Sequence, residues 1–389
     1  MKIIARIYQF ILKMGVKVIP YKKVKVIKGE NSILKIKDVL IDNNINNVFI
    51  INGRTITKLG LLNPLIKLLD ESQIKYTFYN KVSSDPTIDN ILDCTNEYIK
   101  CEAQAIVAIG GGSILDCAKI ANAKKVLVNK SIKDMRGIMK IHHKLPILIG
   151  VPTTAGTGSE VTLAAVVSDP NNKEKYAISD PCLICDYAIL DPNLTLGLNP
   201  QLTSITGMDA LSHSIEAYIG NSNTKQTKKD AFESINLIFD NLLIAYHDGS
   251  NIIARENMLY ASLLAGQAFT KAYVGYVHAF AHAIGAYYHL PHGLAIAIVM
   301  PHILNSYGNK LEHKFDDFKM DHQTFINKIE MLNQEMNIPQ YIEQIDLKDL
   351  DDLSNHIIKE ANLLYPVPKI YNKTEIINLL KKIKGENHG

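Results

Sequence analysis

The chain has no tryptophan, only five cysteines and no long uninterrupted hydrophobic run. An odd cysteine count in 389 residues argues against a disulfide framework and favours a reducing compartment. No segment approaches the roughly 20 unbroken apolar residues of a membrane span. The net charge is only +3 and the lysines are scattered, which argues against a nucleic-acid surface. We therefore expect a cytoplasmic protein with neither a nucleic acid nor a membrane as partner.

The first twenty residues, MKIIARIYQFILKMGVKVIP, have the composition of a targeting signal only at first sight. Polar residues interrupt the apolar run, and no small-residue cleavage site follows it. The apolar residues Ile7, Phe10, Ile11 and Met14 recur at helical spacing. This spacing predicts a short packing helix.

The periodicity changes about halfway along the chain. Apolar strand-like runs such as 47–52, 75–82, 105–110 and 145–152 alternate with helical segments in the first half. Near-continuous apolar strands between helices are typical of a parallel, doubly wound sheet. Beyond Pro192 to Pro200 the windows have helical periodicity. We predict an α/β domain over 1–195 and an all-α domain over 196–389.

Two glycine-rich turns follow predicted strands. AIGGGSILDCAK places Gly110, Gly111 and Gly112 before a helix start at Ser113. Such a turn allows a phosphate to approach backbone N–H groups, although it is neither a GxGxxG nor a Walker sequence. PTTAGTGSEVT is a second such loop. Ligands of open α/β folds bind at the carboxyl ends of strands, so the pair favours a dinucleotide over two merely structural turns.

Carboxylate and imidazole side chains are concentrated in two helical segments. Asp209 and His213 have i, i+4 spacing, as do His278 and His282, and His292 follows across a predicted loop. A carboxylate with several imidazoles suits a divalent transition metal. The alternative for each histidine is ordinary packing.

These motifs together resemble the iron-containing, or metal-dependent, alcohol dehydrogenases. The resemblance runs over nearly the whole chain and in the family's order, through KVIKGE, SSDPT, GGGSILDCAK, PTTAGTGSEVT, ILDPNLT, TGMDALSHSIEAY and VGYVHAFAHAIGAYYHLPHG. It implies an α/β dinucleotide-binding domain followed by an all-α metal-binding domain, the fold shared with dehydroquinate synthase.

The resemblance also assigns roles to individual residues. It makes Asp209, His213, His278 and His292 the metal ligands, and it places His282 beside the substrate, where it could relay a proton. It gives the nicotinamide cofactor a set of contacts comprising Gly111, Gly112, Ser113, Thr153 and Thr154, with Asp116 bracing the turn and Lys175 as a further contact. His289 matches no functional position. Ile296 replaces an asparagine that is common in the family, a change expected to affect metal choice or substrate shape.

The position after the first strand of the sheet bears on cofactor choice. Members that prefer NAD often have an aspartate there, which accepts hydrogen bonds from the ribose. Here that position is Gly53, which leaves room for a 2′-phosphate, and Arg54 could pair with it. We expect NADP(H) to be favoured over NAD(H), unless Gly53 is only a turn and Arg54 is solvated.

The resemblance implies hydride transfer between the nicotinamide and a small primary alcohol or aldehyde, with Fe²⁺, or else Zn²⁺ or another divalent metal, polarising the substrate oxygen. It also implies a homodimer or larger oligomer. Two other activities stay open, glycerol dehydrogenase-like polyol oxidation and a dehydroquinate synthase-like lyase. The mostly small and apolar stretch AGQAFTKAYVGYV argues against the lyase, which needs a basic pocket. A non-catalytic nucleotide-binding protein is a third alternative.

Overall fold

The computed structural model describes residues 2–18, 21–170, 172 and 174–386. The chain divides into two compact units, a helical unit of residues 1–19, 199–248 and 267–389, and an α/β unit of residues 20–198 and 249–266. The predicted division, 1–195 and 196–389, is continuous. It therefore differs from the observed units in the N-terminal segment and in residues 249–266.

The α/β unit contains a six-stranded parallel sheet with the strand order β1-β9-β6-β4-β2-β3. A smaller sheet has the order β5-β8-β7, in which β7 and β8 are antiparallel. The strands are β1 Lys25–Lys28, β2 Asn47–Asn52, β3 Lys75–Tyr79, β4 Ala105–Gly110, β5 Gly137–Ile138, β6 Ile147–Pro152, β7 Ala164–Asp169, β8 Glu174–Ser179 and β9 Tyr187–Leu190. The four strands predicted from the apolar runs are therefore present.

Helices cover both faces of the large sheet. In β2, Phe49 packs into one buried cluster while Val48 and Ile50 pack into another, because successive side chains point to opposite faces. The helices of this unit are α2 Ile36–Asp42, α3 Arg54–Lys58, α4 Asn63–Glu71, α5 Ile88–Lys100, α6 Gly112–Val126 and the greater part of α9 Ile252–Ala272. The predicted parallel, doubly wound sheet is confirmed.

The helical unit has no strand among its described residues. Its helices are α1 Lys2–Val18, α7 Pro200–Ile219, α8 Lys225–His247, α10 Tyr276–Tyr288, α11 His292–Tyr307, α12 His322–Glu335, α13 Leu350–Leu364 and α14 Lys373–Lys384. The central helix, α7, begins with Pro200 in its first turn, and the Asn199 side chain accepts a hydrogen bond from the Leu202 N–H. Fifteen residues of α7 are buried, and they include the polar residues Asp209, His213 and Glu216.

None of the helices in the described part of the chain is both long enough and apolar enough to cross a bilayer.

Candidate metal centre and nucleotide-binding loops

Three helices bring a carboxylate and two imidazoles together in the helical unit. Asp209 lies on α7, His278 on α10, and His292 is the first residue of α11. One potential ligand atom from each lies within 4.8 Å of the others. His292 Nε2 is 3.5 Å and His278 Nε2 is 3.8 Å from Asp209 Oδ1. Residues separated by about eighty positions therefore form one compact group.

The glycine after His292 allows this convergence. A Cβ on Gly293 would lie 2.2 Å from the carbonyl oxygen of Ile205, which is backbone of α7. Only glycine lets the first turn of α11 approach α7 this closely. The glycine of the proline-histidine-glycine sequence thus allows His292 to lie next to Asp209.

His213, the fourth predicted ligand, lies beside this group rather than within it. Its Nδ1 is 3.8 Å from Asp209 Oδ1. Its ring stacks on Phe269, with centroids 4.1 Å apart, and on His278 at 4.4 Å. The structure therefore brings three of the four predicted ligands into one cluster and places the fourth in contact with two of them.

The polar atoms at this centre fit a divalent cation. Asp209 Oδ1, His213 Nδ1 and His278 Nε2 are buried and have no hydrogen-bond partner among the described residues. Leaving such atoms unpaired is costly, and a metal bound by them would remove that cost. The donor set, one carboxylate with imidazoles, is also one that transition metals prefer. His292 is 41% exposed, so one side of the group is open.

The charges at this centre favour an ionised carboxylate and neutral imidazoles. Burial acts to raise the pKa of Asp209, but His213, His292 and His278 outweigh it, so the pKa of that carboxyl lies below its usual range. Burial lowers the pKa of His213 to about 3 and that of His278 well below its ordinary value. These protonation states are the ones in which the side chains can donate electron pairs to a metal.

Glu216 orients His278. Its Oε2 lies 2.6 Å from His278 Nδ1, and its Oε1 accepts a hydrogen bond from the Val277 N–H at 2.7 Å. Burial raises the pKa of Glu216 to about 7, against the opposing effect of backbone N–H groups that include that of Gly275. With Nδ1 donating to Glu216, the lone pair of His278 is on Nε2, which faces Asp209. Sequence reasoning missed this residue, although its position seven residues after Asp209 on one helix was a usable signal.

Replacing Glu216 with glutamine should weaken metal binding by roughly ten- to a hundredfold, because the amide no longer holds the imidazole as strongly. The measurement is a competition titration of the metal-free protein with a chromophoric chelator and Zn²⁺. Glu335→Gln, on the exposed surface of α12, is the matched control. Equal zinc affinity in the two variants would contradict the role of Glu216.

His282 lies one helical turn beyond His278 and next to the same group. Its Nδ1 is 2.7 Å from Glu360 Oε1, which also accepts a hydrogen bond from the Tyr365 hydroxyl at 2.7 Å. Its ring is stacked with that of His292, with centroids 5.0 Å apart. Burial acts to raise the pKa of Glu360, but His282 and Tyr365 outweigh it and lower that pKa. Glu360, which sequence reasoning also missed, therefore orients the imidazole of His282 through Nδ1.

Two other residues of these segments have structural explanations. His289 is exposed and ends α10 in a left-handed conformation, with φ of 54°. Ile296 is completely buried in α11.

The two glycine-rich loops meet in the α/β unit at the carboxyl ends of β4 and β6, which are neighbouring strands. A Cβ on Gly112 would lie 2.9 Å from Thr157 Cγ2, so the two loops touch at this glycine. A Cβ on Gly111 would lie 3.4 Å from Thr154 Oγ1. The Thr153 N–H donates to the Gly110 carbonyl at 3.1 Å. The predicted cofactor residues of both loops are thus adjacent.

Three further predicted residues surround these loops. Asp116 braces the second loop, since its Oδ1 accepts from the Ser159 hydroxyl at 2.8 Å and its Oδ2 from the Val166 N–H at 3.0 Å. The Ser113 hydroxyl donates to the Ser84 carbonyl. Lys175 Nζ forms an ion pair with Asp85 at 2.6 Å, in the segment that precedes α5.

Gly53 and Arg54 follow β2 at the same edge of the sheet. Gly53 is the N-cap of α3, and a Cβ on it would meet only Ile56 Cγ1, at 4.0 Å. Arg54 Nε donates to the Asn80 carbonyl at 3.2 Å. There is space at Gly53, and a guanidinium group lies next to it.

Glu160 is a buried carboxyl in the second loop that sequence reasoning did not single out. Its Oε1 has no hydrogen-bond partner among the described residues. Burial raises its pKa to about 7, against the weaker effects of its own backbone N–H and of the buried Lys119. The folded protein therefore holds a proton that the unfolded chain releases at lower pH.

This proton makes stability depend on pH. Between the ordinary pKa of 4.5 and about 7, the folded state binds the proton and the unfolded state does not, so stability falls as pH rises. The loss over this window is about 3 kcal/mol for this one group. The free energy of unfolding, measured with urea between pH 4.5 and 7, should fall by that amount more in the wild type than in Glu160→Gln. Parallel pH profiles for the two proteins would contradict the prediction.

Comparison with known proteins places this geometry in context. The iron-containing alcohol dehydrogenase family model matches residues 23–192, and the model for the C-terminal part of that family matches 203–384. Alcohol dehydrogenase 4 of Saccharomyces cerevisiae is 33% identical over 366 residues, covering 91% of this chain and 95% of its own. The 1,3-propanediol dehydrogenase of Citrobacter freundii is 34% identical, covering 85% of this chain and 89% of its own.

Solved structures agree with this relationship. A crystal structure of 1,3-propanediol oxidoreductase superposes with a TM-score of 0.89 at 30% identity, covering 94% of this chain and 99% of its own. The alcohol dehydrogenase of Oenococcus oeni superposes with a TM-score of 0.87 at 28% identity, covering 94% and 99%. The chain belongs to the iron-containing alcohol dehydrogenase family, whose members are metal-dependent alcohol dehydrogenases and aldehyde reductases.

Proposed function

We propose that this enzyme transfers a hydride between NADP(H) and a small primary alcohol or aldehyde, using a divalent metal held by Asp209, His213, His278 and His292. The observation that carries the proposal is the convergence of three buried polar atoms without partners, Asp209 Oδ1, His213 Nδ1 and His278 Nε2. Fe²⁺ is the first candidate, with Zn²⁺ or another divalent metal as the alternative. The chemistry that such a metal supplies is Lewis-acid polarisation of the substrate oxygen.

The protein side chains prepare the open side of the centre for a substrate. Asp209 contributes a buried negative charge, which keeps the net charge of the site low when a cation is bound. His292, 41% exposed, lies at the side from which a small molecule can approach. Phe269, stacked on His213, gives the centre an apolar wall. This surrounding fits a short, uncharged alcohol or aldehyde.

His282 is proposed to carry the proton that the alcohol loses or the aldehyde gains. Glu360 accepts the Nδ1 proton of His282, which sets the tautomer in which Nε2 is the basic nitrogen of the ring. His282 is 46% exposed, so a proton on Nε2 can exchange with water. Glu360 thereby sets the tautomer, and His282 moves the proton.

The two glycine-rich loops are proposed to hold the cofactor. Gly111 and Gly112 open α6 without side chains, so the backbone N–H groups of its first turn can face a pyrophosphate. Ser113, Thr153 and Thr154 add hydroxyl groups, and Asp116 keeps the two loops in register through Ser159. Lys175, paired with Asp85, is proposed as a further cofactor contact.

The preference for NADP(H) is proposed from the end of β2. The space at Gly53 accommodates a 2′-phosphate, and Arg54 supplies a cation within one residue of it. An aspartate at this position would repel the phosphate, and none is present.

The substrate class follows from the relatives and from the site. A relative that covers most of the chain is a 1,3-propanediol dehydrogenase, so short diols and their aldehydes are proposed substrates besides simple primary alcohols.

We also propose a cytoplasmic homodimer or larger oligomer. All five cysteines are free thiols, as a reducing compartment requires.

The proposed function is tested by reconstituting the metal-free protein with Fe²⁺ or Zn²⁺ and following NADPH and NADH absorbance with a panel of aldehydes. Propanal, 3-hydroxypropanal and dihydroxyacetone distinguish simple aldehydes, diol-derived aldehydes and the polyol pathway. Metal-dependent NADPH oxidation with propanal and 3-hydroxypropanal supports the proposal. Cofactor binding without turnover, or turnover that survives removal of the metal, would overturn it.

A further inference from the structure

Helix α1 is attached to the helical unit through Ala5, Arg6 and Gln9. Arg6 Nη1 donates to the carbonyl of Val367 at 2.7 Å, and Gln9 Nε2 donates to the carbonyl of Tyr365 at 2.7 Å. Ala5 and Gln9 are only 3% and 5% exposed. Amphipathic helices of globular proteins usually bury their large apolar side chains. In α1, two polar side chains, those of Arg6 and Gln9, make the hydrogen bonds of the attachment.

The opposite face of α1 is apolar and exposed. Ile7 is 57%, Phe10 64% and Met14 47% exposed. These residues are spaced three and four positions apart, so they form one stripe along the helix. A stripe of large apolar side chains kept in water has a free-energy cost, and covering it would recover that cost.

The charge of α1 is of one sign. Its sequence contains Lys2, Arg6, Lys13 and Lys17 and no acidic residue. These four leave 38 basic residues for the rest of the chain, against 39 acidic residues. The excess positive charge of the protein is therefore concentrated in this helix. Lys13 is half-buried, and its Nζ donates to the carbonyl of Asn221 at 2.7 Å.

We propose that α1 holds the enzyme on the surface of an anionic phospholipid bilayer, with Ile7, Phe10 and Met14 inserted among the acyl chains. A basic helix with one strongly apolar face lies in the plane of a membrane interface, where burial of the apolar face and attraction to anionic lipid add together. A span is not required, so this binding is compatible with the absence of a membrane-crossing helix among the described residues. It revises the expectation of no membrane partner, which rested on the lack of a span and on the small overall charge.

Two observations favour lipid over a second copy of the chain. Pairing α1 with its own copy would bring two helices with only positive charges together, which is unfavourable. The family model begins at residue 23, so α1 lies outside the part of the chain that matches the shared fold. The helix is thus an addition to the catalytic framework, and it displays a surface that the framework does not need.

The test is flotation of the metal-loaded full chain with two kinds of vesicle, phosphatidylcholine alone and phosphatidylcholine mixed equally with phosphatidylglycerol. We expect binding to the anionic vesicles at least tenfold stronger than to the neutral ones, and weaker binding in high salt. The double variant Ile7→Ser/Phe10→Ser should lose at least tenfold in binding while keeping its activity in solution. Ile253→Ser, which removes another exposed apolar side chain, is the matched control and should bind like the wild type.

Each other outcome counts against the proposal. Equal flotation of the wild type and the double variant would show that the stripe is not the attachment surface. If the wild type does not float but is oligomeric, and the double variant is monomeric in sedimentation, the stripe is a contact between copies and the lipid proposal is wrong. If neither oligomeric state nor flotation responds to the double variant, the stripe has neither role.

Discussion

His278→Ala is expected to yield a folded protein that retains almost no metal and has lost at least a thousandfold in kcat/KM. Removing this imidazole takes one Nε2 donor from the group around Asp209 and leaves the buried Glu216 Oε2 without its hydrogen-bond partner. Loss of the metal removes several kcal/mol of transition-state stabilisation, and each 1.36 kcal/mol is a factor of about ten in rate. Metal content by elemental analysis and kcat/KM for aldehyde reduction are the two measurements.

The matched control is His289→Asn, eleven residues further along the same stretch. His289 is exposed and has a positive φ, which asparagine tolerates, so this variant should keep both metal and activity. His292→Ala should behave like His278→Ala, because both nitrogens face the same carboxylate oxygen. A fully active, metal-loaded His278→Ala enzyme would refute the proposed ligand set.

Gly53→Asp is expected to reverse the cofactor preference by about two powers of ten in the ratio of kcat/KM for NADPH and NADH. A carboxylate about 5 Å from a 2′-phosphate at an effective dielectric of 20 costs on the order of 3 kcal/mol, which is about a hundredfold. The space around Gly53, where a Cβ would meet only Ile56, accommodates the new side chain. Steady-state kinetics with both cofactors and one aldehyde give the ratio.

Gly53→Asn separates charge from size, because asparagine has the same shape as aspartate without its charge. It should change the ratio far less than Gly53→Asp does. Arg54→Ala should weaken the binding of NADPH more than that of NADH, since it removes the cation beside the proposed phosphate site. Identical ratios for Gly53→Asp and Gly53→Asn would show that no phosphate lies near this position.

Much of the fold could be predicted from local patterns. The runs at 47–52 and 105–110 have continuous apolar centres, at 48–51 and 105–109, because both faces of these strands are covered. Such runs identify buried parallel strands without any tertiary information. The membership of α1 and of residues 249–266 in the two units could not be predicted, because it depends on contacts between segments far apart in sequence. Periodicity reports which face of a helix is apolar, but it does not tell which face docks, and α1 shows this directly.

The candidate site was predictable where two residues share a helix and less so elsewhere. The i, i+4 spacing pairs Asp209 with His213 and His278 with His282 and indicates a metal site, whereas only the resemblance to a family selects the ligands and excludes His282 from them. Glu216 and Glu360 were missed, because a carboxylate that orients an imidazole has no fixed sequence spacing from it. Their roles depend on distances of 2.6 and 2.7 Å across helices, which only the three-dimensional structure provides.

The distance along the chain between Asp209 and His292 has a consequence for the lifetime of the enzyme. A metal bound to both would cross-link the chain across about eighty residues, and such a cross-link reduces the conformational freedom of the unfolded chain. Free metal at a hundred times its dissociation constant would add about 2.7 kcal/mol to the stability of the helical unit. Protein made during metal shortage would therefore unfold and be degraded more readily, so metal supply would set the amount of enzyme as well as its activity.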